Sequence, residues 1–298
     1  TRYDRVLKRA EQIKPEEVFE LFLNSYARTF DPHSSYFSPR NSEEYKIQMS
    51  LNYEGIGASL QTVDDYVTIM NLIEGGPAAA AGTLSVNDRI TAVGQGKEGP
   101  LTDVIGWRID DVVQLIRGKG GTVVRLQVLP VGAAPGSPEK LVEFTRGKVT
   151  LEAQAARKEL KIIKRGDREH RIGVINVPGF YSDYDAQRAG DENYRSTTRD
   201  VRRLIEELKT EKIDGLVMDL RGNGGGFLPE AQSLTGLFVD RGPVVQVQFS
   251  NGEKEVLDDP DSGVAYNGPL VVLIDRFSAS ASEIFAGAIQ DYRRGVVV

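Results

Sequence analysis

The fold and the chemistry of this chain are decided by one stretch near its end, Asp275-Arg-Phe-Ser-Ala-Ser-Ala-Ser-Glu-Ile-Phe-Ala-Gly-Ala-Ile-Gln-Asp291. It follows an uninterrupted apolar run, Pro269-Leu-Val-Val-Leu-Ile274, and it leads into residues with the composition of a helix. A strand, a turn of small residues and a helix in succession form the local structure in which enzymes present a nucleophilic hydroxyl. A helix N-terminus also offers free N–H groups that can hold an oxyanion. The stretch therefore predicts a strand–turn–helix unit with Ser280 as the candidate nucleophile.

The same serines also have a purely structural interpretation, because Ser commonly precedes a helix as its N-cap. A nucleophilic serine needs a base, and the two histidines, His33 and His170, are both distant from Ser280 in sequence. Lysine is another base that serine hydrolases use, but no lysine lies between Ser280 and Val298, where the chain stops. We expect either that a distant lysine folds back onto Ser280 or that the base lies beyond the end of this chain.

Length and composition narrow the class of protein. The 298 residues suffice for one large domain or for two to three smaller ones. Their net charge of −6 argues against a nucleic-acid partner, and the absence of cysteine excludes disulfides and thiolate metal sites. No apolar run is long enough to span a bilayer. Because no signal peptide is visible and Thr1 is not a start residue, we expect a piece of a longer precursor that needs neither metal nor cofactor.

Residues 1–50 have the pattern of a charged helical region. Pro15 occupies a first-turn position, with acidic residues directly after it, as is typical of a helix start. Apolar residues follow at helical spacing, and we expect this face to pack against the rest of the protein rather than to bind a cofactor. The face consists of Val18, Phe19, Phe22 and Tyr26.

Residues 51–148 change to short strands and glycine turns, with a helix predicted from the i, i+3, i+4, i+7 spacing that begins at Ile109. This block resembles a PDZ domain. Gly55-Ile-Gly-Ala58 resembles that family's carboxylate-binding loop, and Gly75-Gly-Pro-Ala-Ala79 with Asn87-Asp-Arg-Ile90 resembles a second characteristic run, although Asn87 stands where glycine is usual.

The resemblance to PDZ domains implies a binding site for a peptide C-terminus. Free N–H groups of a glycine loop can hold a terminal carboxylate, and an adjoining strand edge can pair with the peptide backbone. An apolar helix face would line the groove for the peptide's side chains, and we expect protein or peptide partners with apolar C-termini. The residues so implicated are Gly55, Ile56, Gly57, Ala58, Leu60, Ile109, Val112, Val113 and Ile116.

Residues 149–298 read as a second, α/β region. A buried strand, Gly215-Leu-Val-Met-Asp-Leu220, runs into the glycine-rich segment Arg221-Gly-Asn-Gly-Gly-Gly226. This segment is either an ordinary tight turn or a loop whose N–H groups face a ligand. A phosphate loop is disfavoured because no Lys-Ser or Lys-Thr follows it. The polar residues 182–199 predict a mobile or exposed segment.

Three motifs together resemble the carboxy-terminal processing, or tail-specific, proteases. They are Asp219-Leu-Arg-Gly-Asn-Gly-Gly-Gly226, Ser278-Ala-Ser-Ala-Ser-Glu283 and Pro178-Gly-Phe180, and the order of helical region, PDZ domain and α/β core is also similar. The resemblance implies a multidomain α+β protein whose crotonase-like protease core lacks its C-terminal part. It also implies a serine endopeptidase with a Ser–Lys dyad, in which the PDZ domain captures the substrate's C-terminus.

The family resemblance also assigns roles to individual residues. Ser280 would be the nucleophile, the N–H groups of Ala281, Gly225 and Gly226 would form the oxyanion hole, and the lysine would lie beyond this chain. Two carboxylates, Asp291 and Glu283, could support the base or be structural. The family resemblance implies the bacterial periplasm or another extracytoplasmic compartment. Two alternatives stay open, namely a catalytically inactive PDZ scaffold and a crotonase-like acyl-CoA enzyme.

Overall fold

The computed structural model describes residues 3, 7 and 10–298. It divides into two compact units, of which the first comprises Thr1–Ile47 and Asn52–Thr150 and the second Gln48–Leu51 and Leu151–Val298. The first unit holds an N-terminal helical region and a mostly antiparallel sheet, and the second holds a mostly parallel sheet with helices. This organisation confirms the predicted multidomain fold of mixed α and β structure.

Two helices follow the N-terminal residues, of which 1, 2, 4–6, 8 and 9 lie outside the described part of the chain. Helix α1 (Pro15–Ala27) begins at the predicted proline, and α2 (Pro39–Ser50) follows it. The expected packing of the apolar face of α1 is wrong for the described residues, because the four members of this face are each more than half exposed. The helix instead contacts its own unit through charged groups near its start. The four exposed residues are Val18, Phe19, Phe22 and Tyr26.

The first unit is built around a six-stranded antiparallel sheet with a separate two-stranded ribbon. The predicted helix of this region is α4, which spans Ile109–Ile116 as the apolar spacing indicated. Asn87 has a φ of 71°, a backbone conformation that explains why glycine is usual there and why asparagine is tolerated. The elements are β1 (Asn52–Gly55), β2 (Ala58–Val63), β3 (Tyr66–Leu72), α3 (Pro77–Ala81), β4 (Arg89–Gln95), β5 (Leu101–Asp103), α4, β6 (Val123–Leu129), β7 (Lys140–Thr145) and β8 (Gly147–Thr150).

A buried arginine holds the C-terminal end of α4. Arg146 is 4% exposed, and its guanidinium donates to the carbonyl oxygens of Leu115 and Ile116 at 2.9 and 2.8 Å. These carbonyls belong to the last turn of the helix, where a positive charge is favourable. Desolvation lowers the pKa of Arg146, but the buried donors are satisfied by neutral oxygens and the charge is retained. The residue therefore fixes the helix whose face we expect to line a peptide groove.

A charged contact attaches α1 to the start of α4. The guanidinium of Arg108 donates to both carboxylate oxygens of Glu17, at 2.7 and 3.0 Å, and the Lys14 N–H donates to the same carboxylate. The hydrogen bonds from Arg108, followed by the one from Lys14, lower the pKa of Glu17 to about 2. A carboxyl group whose pKa is lower in the folded state stabilises that state above its ordinary pKa and loses the effect as it becomes protonated.

We predict that this contact persists at neutral pH and is lost as the pH falls from about 4.5 towards 2. Trp107, the only tryptophan of the chain, precedes Arg108 and should report the change as a shift in fluorescence emission. Glu17→Gln should show the low-pH emission already at pH 7, whereas Glu16→Gln, its exposed neighbour, should behave as the wild type. Far-UV circular dichroism separates this local change from global unfolding. An emission spectrum of Glu17→Gln identical to that of the wild type at pH 7 would contradict the prediction.

The second unit has a five-stranded sheet in the order β15-β14-β11-β10-β9. Strands β10, β11, β14 and β15 are parallel, and β9 pairs with β10 in an antiparallel hairpin. A separate two-stranded ribbon is formed by β12 and β13. The strands are β9 (Arg157–Arg165), β10 (Arg168–Asn176), β11 (Gly215–Asp219), β12 (Pro243–Gln248), β13 (Lys254–Asp258), β14 (Leu270–Leu273) and β15 (Val296–Val297).

Apolar helix faces cover this sheet and fix the position of the helix that follows the serine turn. Phe285 and Ile289 lie one helical turn apart on α8, both 0% exposed, and burying each stabilises the fold by about 2–3 kcal/mol. The ring of Phe285 meets that of Phe238 edge to face at 5.7 Å. A 3₁₀ turn (Glu152–Gln154) and the helices α5 (Tyr184–Arg188), α6 (Thr197–Thr210), α7 (Leu228–Gly236) and α8 (Ala281–Asp291) complete the unit.

The prediction of an exposed or mobile segment over residues 182–199 is correct for its middle and wrong for its ends. Asp183 and Ser196 are 7% and 1% exposed. Both are N-cap residues, since Asp183 accepts from the Ala186 N–H at the start of α5 and Ser196 accepts from the Arg199 N–H at the start of α6. Polar residues that cap helices resemble loop residues in sequence, which explains the difference.

Candidate active site

The candidate site lies where three parallel strands of the second unit end. Asn176 at the end of β10 is in register with Asp219 at the end of β11, which is in register with Leu273 at the end of β14. The three loops that follow these strands therefore leave the sheet at one edge. Ligands of open parallel sheets bind at the carboxyl ends of the strands. This edge brings together the Pro178-Gly-Phe180 segment, the glycine loop and the serine turn.

The serine turn has a strained backbone at its middle serine. Ser280 has φ 54° and ψ −114°, a conformation that a residue other than glycine rarely adopts and that costs on the order of 1–3 kcal/mol. Its N–H donates to the carboxylate of Glu283 at 2.7 Å, and α8 begins at the next residue, Ala281. Glu283 thus has a structural role, because it holds the bend that projects Ser280 at the helix N-terminus.

The three serines of the turn have different environments. The hydroxyl of Ser278 donates a hydrogen bond to the Leu220 carbonyl oxygen at 2.8 Å. Ser282 is 0% exposed and donates to the Asn223 carbonyl oxygen at 2.9 Å. Ser280 is the exposed member of the three. The outer two serines therefore attach the turn to the glycine loop, and the middle one is left accessible to a substrate.

Asn223 connects the glycine loop to its surroundings, a role that its sequence context did not predict. It is 0% exposed, its amide nitrogen donates to the Val177 carbonyl at 2.8 Å, and its amide oxygen accepts from the Gly225 N–H at 2.8 Å. Its backbone carbonyl accepts from the Ala279 N–H at 3.1 Å as well as from Ser282. One side chain and one carbonyl thereby join all three loops. An asparagine within a run of glycines is the only sequence signal that could have indicated this role.

Two positions of the loop require glycine, because neighbouring atoms lie too close to leave room for a side chain. A Cβ on Gly225 would lie 2.8 Å from the Cβ of Ser280 and 3.1 Å from the Ala281 nitrogen. A Cβ on Gly226 would lie 2.1 Å from the Phe180 carbonyl oxygen. The Phe180 backbone fixes this approach, because its N–H donates to the Gly225 carbonyl at 3.0 Å and its carbonyl accepts from the Phe227 N–H at 2.8 Å.

The backbone N–H groups around Ser280 differ in availability. Helix N-termini leave their first N–H groups without intrahelical partners. Within the described residues the N–H groups of Ala281 and Gly226 donate no hydrogen bond, whereas the Gly225 N–H donates to Asn223. Of the three predicted oxyanion-hole residues, Ala281 and Gly226 therefore have free N–H donors. Gly225 has none, and its lack of a side chain lets the loop lie against Ser280.

Carboxylates beside the site are held in the ionised form by hydrogen bonds. The Gly222 N–H, followed by those of Phe277 and Ser278, holds the pKa of Asp275 below its usual value. The guanidinium of Arg221 similarly lowers the pKa of Asp219, to which it donates at 2.7 and 2.9 Å. Among the described residues, no three acidic or histidine side chains cluster as metal ligands. These carboxylates therefore fix the loops as acceptors of backbone and guanidinium hydrogen bonds.

Within the second unit, neither the candidate base His170 nor the possible supporting carboxylate Asp291 is brought to Ser280. His170 precedes the end of β10 by six residues, which corresponds to about 20 Å of strand. Asp291 is an exposed residue at the far end of α8, about 16 Å along the helix axis from Ser280. His33 belongs to the other unit. In the part of the chain that the structure describes, no lysine or histidine is hydrogen-bonded to Ser280.

The predicted peptide site of the first unit has a glycine loop beside an edge strand. The Gly57 φ is +78°, and within the described residues the N–H groups of Ile56 and Gly57 donate no hydrogen bond. Strand β2 is at the edge of its sheet and follows this loop. Of the predicted groove residues, Val112 and Ile116 are buried in the core of the unit, and three others keep partial exposure. These three are Leu60, Ile109 and Val113.

Three family models match the chain in order along its length. They are the tail specific protease N-terminal domain over residues 1–40, the PDZ domain over 44–129 and peptidase family S41 over 171–298. None of the helices in the described part of the chain is long and apolar enough to cross a bilayer.

Several known proteins are similar to this chain. A tail-specific protease of Haemophilus influenzae is 41% identical over 297 residues, which cover 100% of this chain and 40% of that protein. The carboxy-terminal processing protease CtpA of Bacillus subtilis is 28% identical over 301 residues, covering 98% of this chain and 57% of that protein. A crystal structure of the PDZ domain of a carboxy-terminal protease from Vibrio cholerae in complex with peptide is 48% identical, with a TM-score of 0.32, covering 34% of this chain and 100% of that one.

The chain spans about half the length of the curated relatives that it matches. Its matches nevertheless follow one order, with an N-terminal domain, a PDZ domain and a peptidase region. The motifs that prompted the resemblance, the glycine loop and the serine turn, both lie within the peptidase match. The chain belongs to the carboxy-terminal processing, or tail-specific, protease family.

Proposed function

We propose that this chain carries the substrate-recognition and nucleophile-bearing parts of a serine endopeptidase that reads free C-termini. The observation that carries the proposal is the strained, exposed Ser280 at the N-terminus of α8, with the free N–H groups of Ala281 and Gly226 beside it. A hydroxyl beside backbone N–H groups without hydrogen-bond partners suits acyl transfer, because such donors can hold the oxyanion.

In this reaction the Ser280 hydroxyl attacks the carbonyl carbon of the scissile peptide bond and its proton passes to a base. The carbonyl oxygen becomes an oxyanion that accepts hydrogen bonds from Ala281 and Gly226. Collapse of the tetrahedral intermediate expels the amine, which takes up a proton, and water then hydrolyses the acyl-enzyme. One oxyanion-hole donor contributes about 10²–10³ to the rate in serine hydrolases.

We infer that the base is a lysine supplied by sequence after residue 298 of the longer protein. Two observations support this inference. No lysine or histidine is hydrogen-bonded to Ser280 within the described residues, and the curated relatives are about twice the length of the chain. Lysine acts as a base only as the neutral amine, so burial must lower its pKa. Residues 1–298 alone are therefore expected to bind peptides without cleaving them.

The PDZ domain would select substrates by their free C-terminus. The free N–H groups of Ile56 and Gly57 would hold the terminal carboxylate, and β2 would pair with the peptide backbone. Partly exposed apolar side chains at Leu60, Ile109 and Val113 favour peptides with apolar C-termini. We place this activity in the periplasm or another extracytoplasmic compartment, with which the absence of cysteine is compatible.

The test uses the chain extended past Val298 and a peptide that ends in apolar residues, in a free and an amidated form. We expect amidation to reduce kcat/KM at least tenfold, because it removes the charge that the glycine loop would hold. The same peptide with a polar C-terminus controls for side-chain selection. Equal cleavage of the free and amidated peptides would contradict recognition of the substrate's C-terminal carboxylate.

The same experiment distinguishes the alternative functions. Binding of the free peptide without any cleavage in the extended chain would favour a catalytically inactive PDZ scaffold. Absence of peptide binding, together with binding of coenzyme A, would favour a crotonase-like acyl-CoA enzyme.

A further inference from the structure

A buried tyrosine lies directly beside the backbone that pairs with the glycine loop. Tyr181 is 2% exposed and packs against Leu51, Leu151 and Ala155, all in the second unit. Its hydroxyl accepts a hydrogen bond from the Ala156 N–H at 2.9 Å and donates one to Asp200 at 2.7 Å. The phenol is thus fully hydrogen-bonded in the interior of the unit, where no substrate reaches it.

The acceptor of this hydrogen bond is itself fixed by charge. Asp200 accepts from Nε of Arg195 at 3.1 Å, and Arg195 donates from its two terminal nitrogens to the two carboxylate oxygens of Glu152. Burial raises the pKa of Tyr181, so the phenol stays a donor throughout the neutral range. The hydrogen bonds from Arg195 lower the pKa of Glu152, so this link persists at any pH above its ordinary value.

The backbone around Tyr181 is held on both sides. The Tyr181 N–H donates to the Thr197 hydroxyl at 2.7 Å, and the Thr197 N–H donates to the Tyr181 carbonyl at 2.9 Å. The Ser182 N–H donates to the Met49 carbonyl at 2.8 Å. The residue before Tyr181 is Phe180, whose backbone bonds the glycine loop on either side of Gly226. A displacement of Tyr181 would therefore move the loop that carries the Gly226 N–H.

We propose that Tyr181 is a positioning residue of the oxyanion hole. Its hydroxyl, fixed between the Ala156 N–H and Asp200, sets the position of the Phe180 backbone and through it the direction of the Gly226 N–H. Donors must lie within about 2.7–3.1 Å of the developing oxyanion, and a misplacement of about 1 Å can cost 10²-fold in rate. This inference rests on the proposed function, because it needs Ser280 to carry out acyl transfer.

The test compares Tyr181→Phe with Tyr266→Phe in the chain extended past Val298. Both tyrosines are at least nine-tenths buried in the second unit, but the Tyr266 hydroxyl donates to the Pro269 carbonyl at 3.3 Å and has no link to the glycine loop. We expect Tyr181→Phe to lower kcat by on the order of tenfold or more with KM changed less than twofold, because the donor acts in the transition state. Affinity for a peptidyl aldehyde, whose adduct with serine has an oxyanion, should fall by the same factor. Tyr266→Phe should leave both quantities near wild type.

The outcomes separate the two proposals. If the wild-type extended chain cleaves no peptide, the proposed function fails and the role of Tyr181 fails with it. If the wild type cleaves and Tyr181→Phe keeps the kcat and the aldehyde affinity of Tyr266→Phe, the positioning role alone is overturned. Should Tyr181→Phe not fold, Asp200→Asn removes the charge of the acceptor while keeping its size. The same loss of kcat at unchanged KM is then expected, and unchanged kcat overturns the inference.

Discussion

Replacing Ser280 by Ala in the chain extended past Val298 is expected to abolish cleavage of a free-ended peptide, with a loss of at least about 10⁴ in kcat. The reason is geometric as well as chemical. Ser280 is the exposed serine of its turn, at φ 54° and directly before the free N–H of Ala281. Alanine keeps the bend and the capping interaction of the Ser280 N–H with Glu283, because that interaction uses the backbone. The substitution therefore removes the nucleophile with little change in fold.

The measurement is a peptide-cleavage assay together with peptide binding by the same variants. Ser278→Ala is the matched control, since it removes a hydroxyl two residues away that donates to the Leu220 carbonyl. We expect this control to lose about 1 kcal/mol of stability and far less activity than Ser280→Ala. Peptide binding should be unchanged in both variants. If Ser280→Ala retains more than a tenth of the wild-type rate, Ser280 is not the nucleophile.

The sequence predicted the site as far as local patterns can. An apolar run, a turn of small residues and a helical composition were sufficient to predict a strand–turn–helix unit, and in the structure its helix α8 begins at Ala281. The same stretch offered Ser280 as the candidate nucleophile, and the family resemblance selects the same serine from the three that alternate with alanine. The structure explains the choice by contacts with Leu220 and Asn223, which lie more than 50 residues earlier in the chain.

The features that the sequence did not predict depend on distant contacts. Asn223 reads as a turn residue, and only its fully buried position among three loops shows its connecting role. Strand β9 (Arg157–Arg165) has charged residues on both faces and so lacks the alternation that indicates a strand. Helical spacing of apolar residues correctly predicted the buried face of α4. The same spacing predicts packing for α1, but no described residues cover its apolar face. Periodicity identifies an apolar face and leaves its partner undetermined.

Replacing Gly226 by Ala is expected to have the second-largest effect, with a loss of about 10²–10³ in kcat. The new Cβ would lie 2.1 Å from the Phe180 carbonyl oxygen, and the φ of +148° is itself unfavourable for alanine. The backbone pairing of Phe180 with the loop must therefore open. Opening this pairing would turn the Gly226 N–H away from the oxyanion, and we also expect a loss of more than about 1 kcal/mol of stability.

Gly224→Ala, in the same loop, is the control for this prediction, because a Cβ there meets no heavy atom within 4 Å and its φ is not positive. Both variants are measured for kcat, KM and thermal stability in the chain extended past Val298. We expect Gly224→Ala to remain within a few-fold of the wild type in kcat, while Gly226→Ala loses kcat at nearly constant KM. Equal activity of the two variants would show that the loop rearranges freely and does not supply a fixed donor. A loss confined to Gly226→Ala would instead link the Gly226 position, with its close approach to Phe180 and its positive φ, to the rate of acyl transfer.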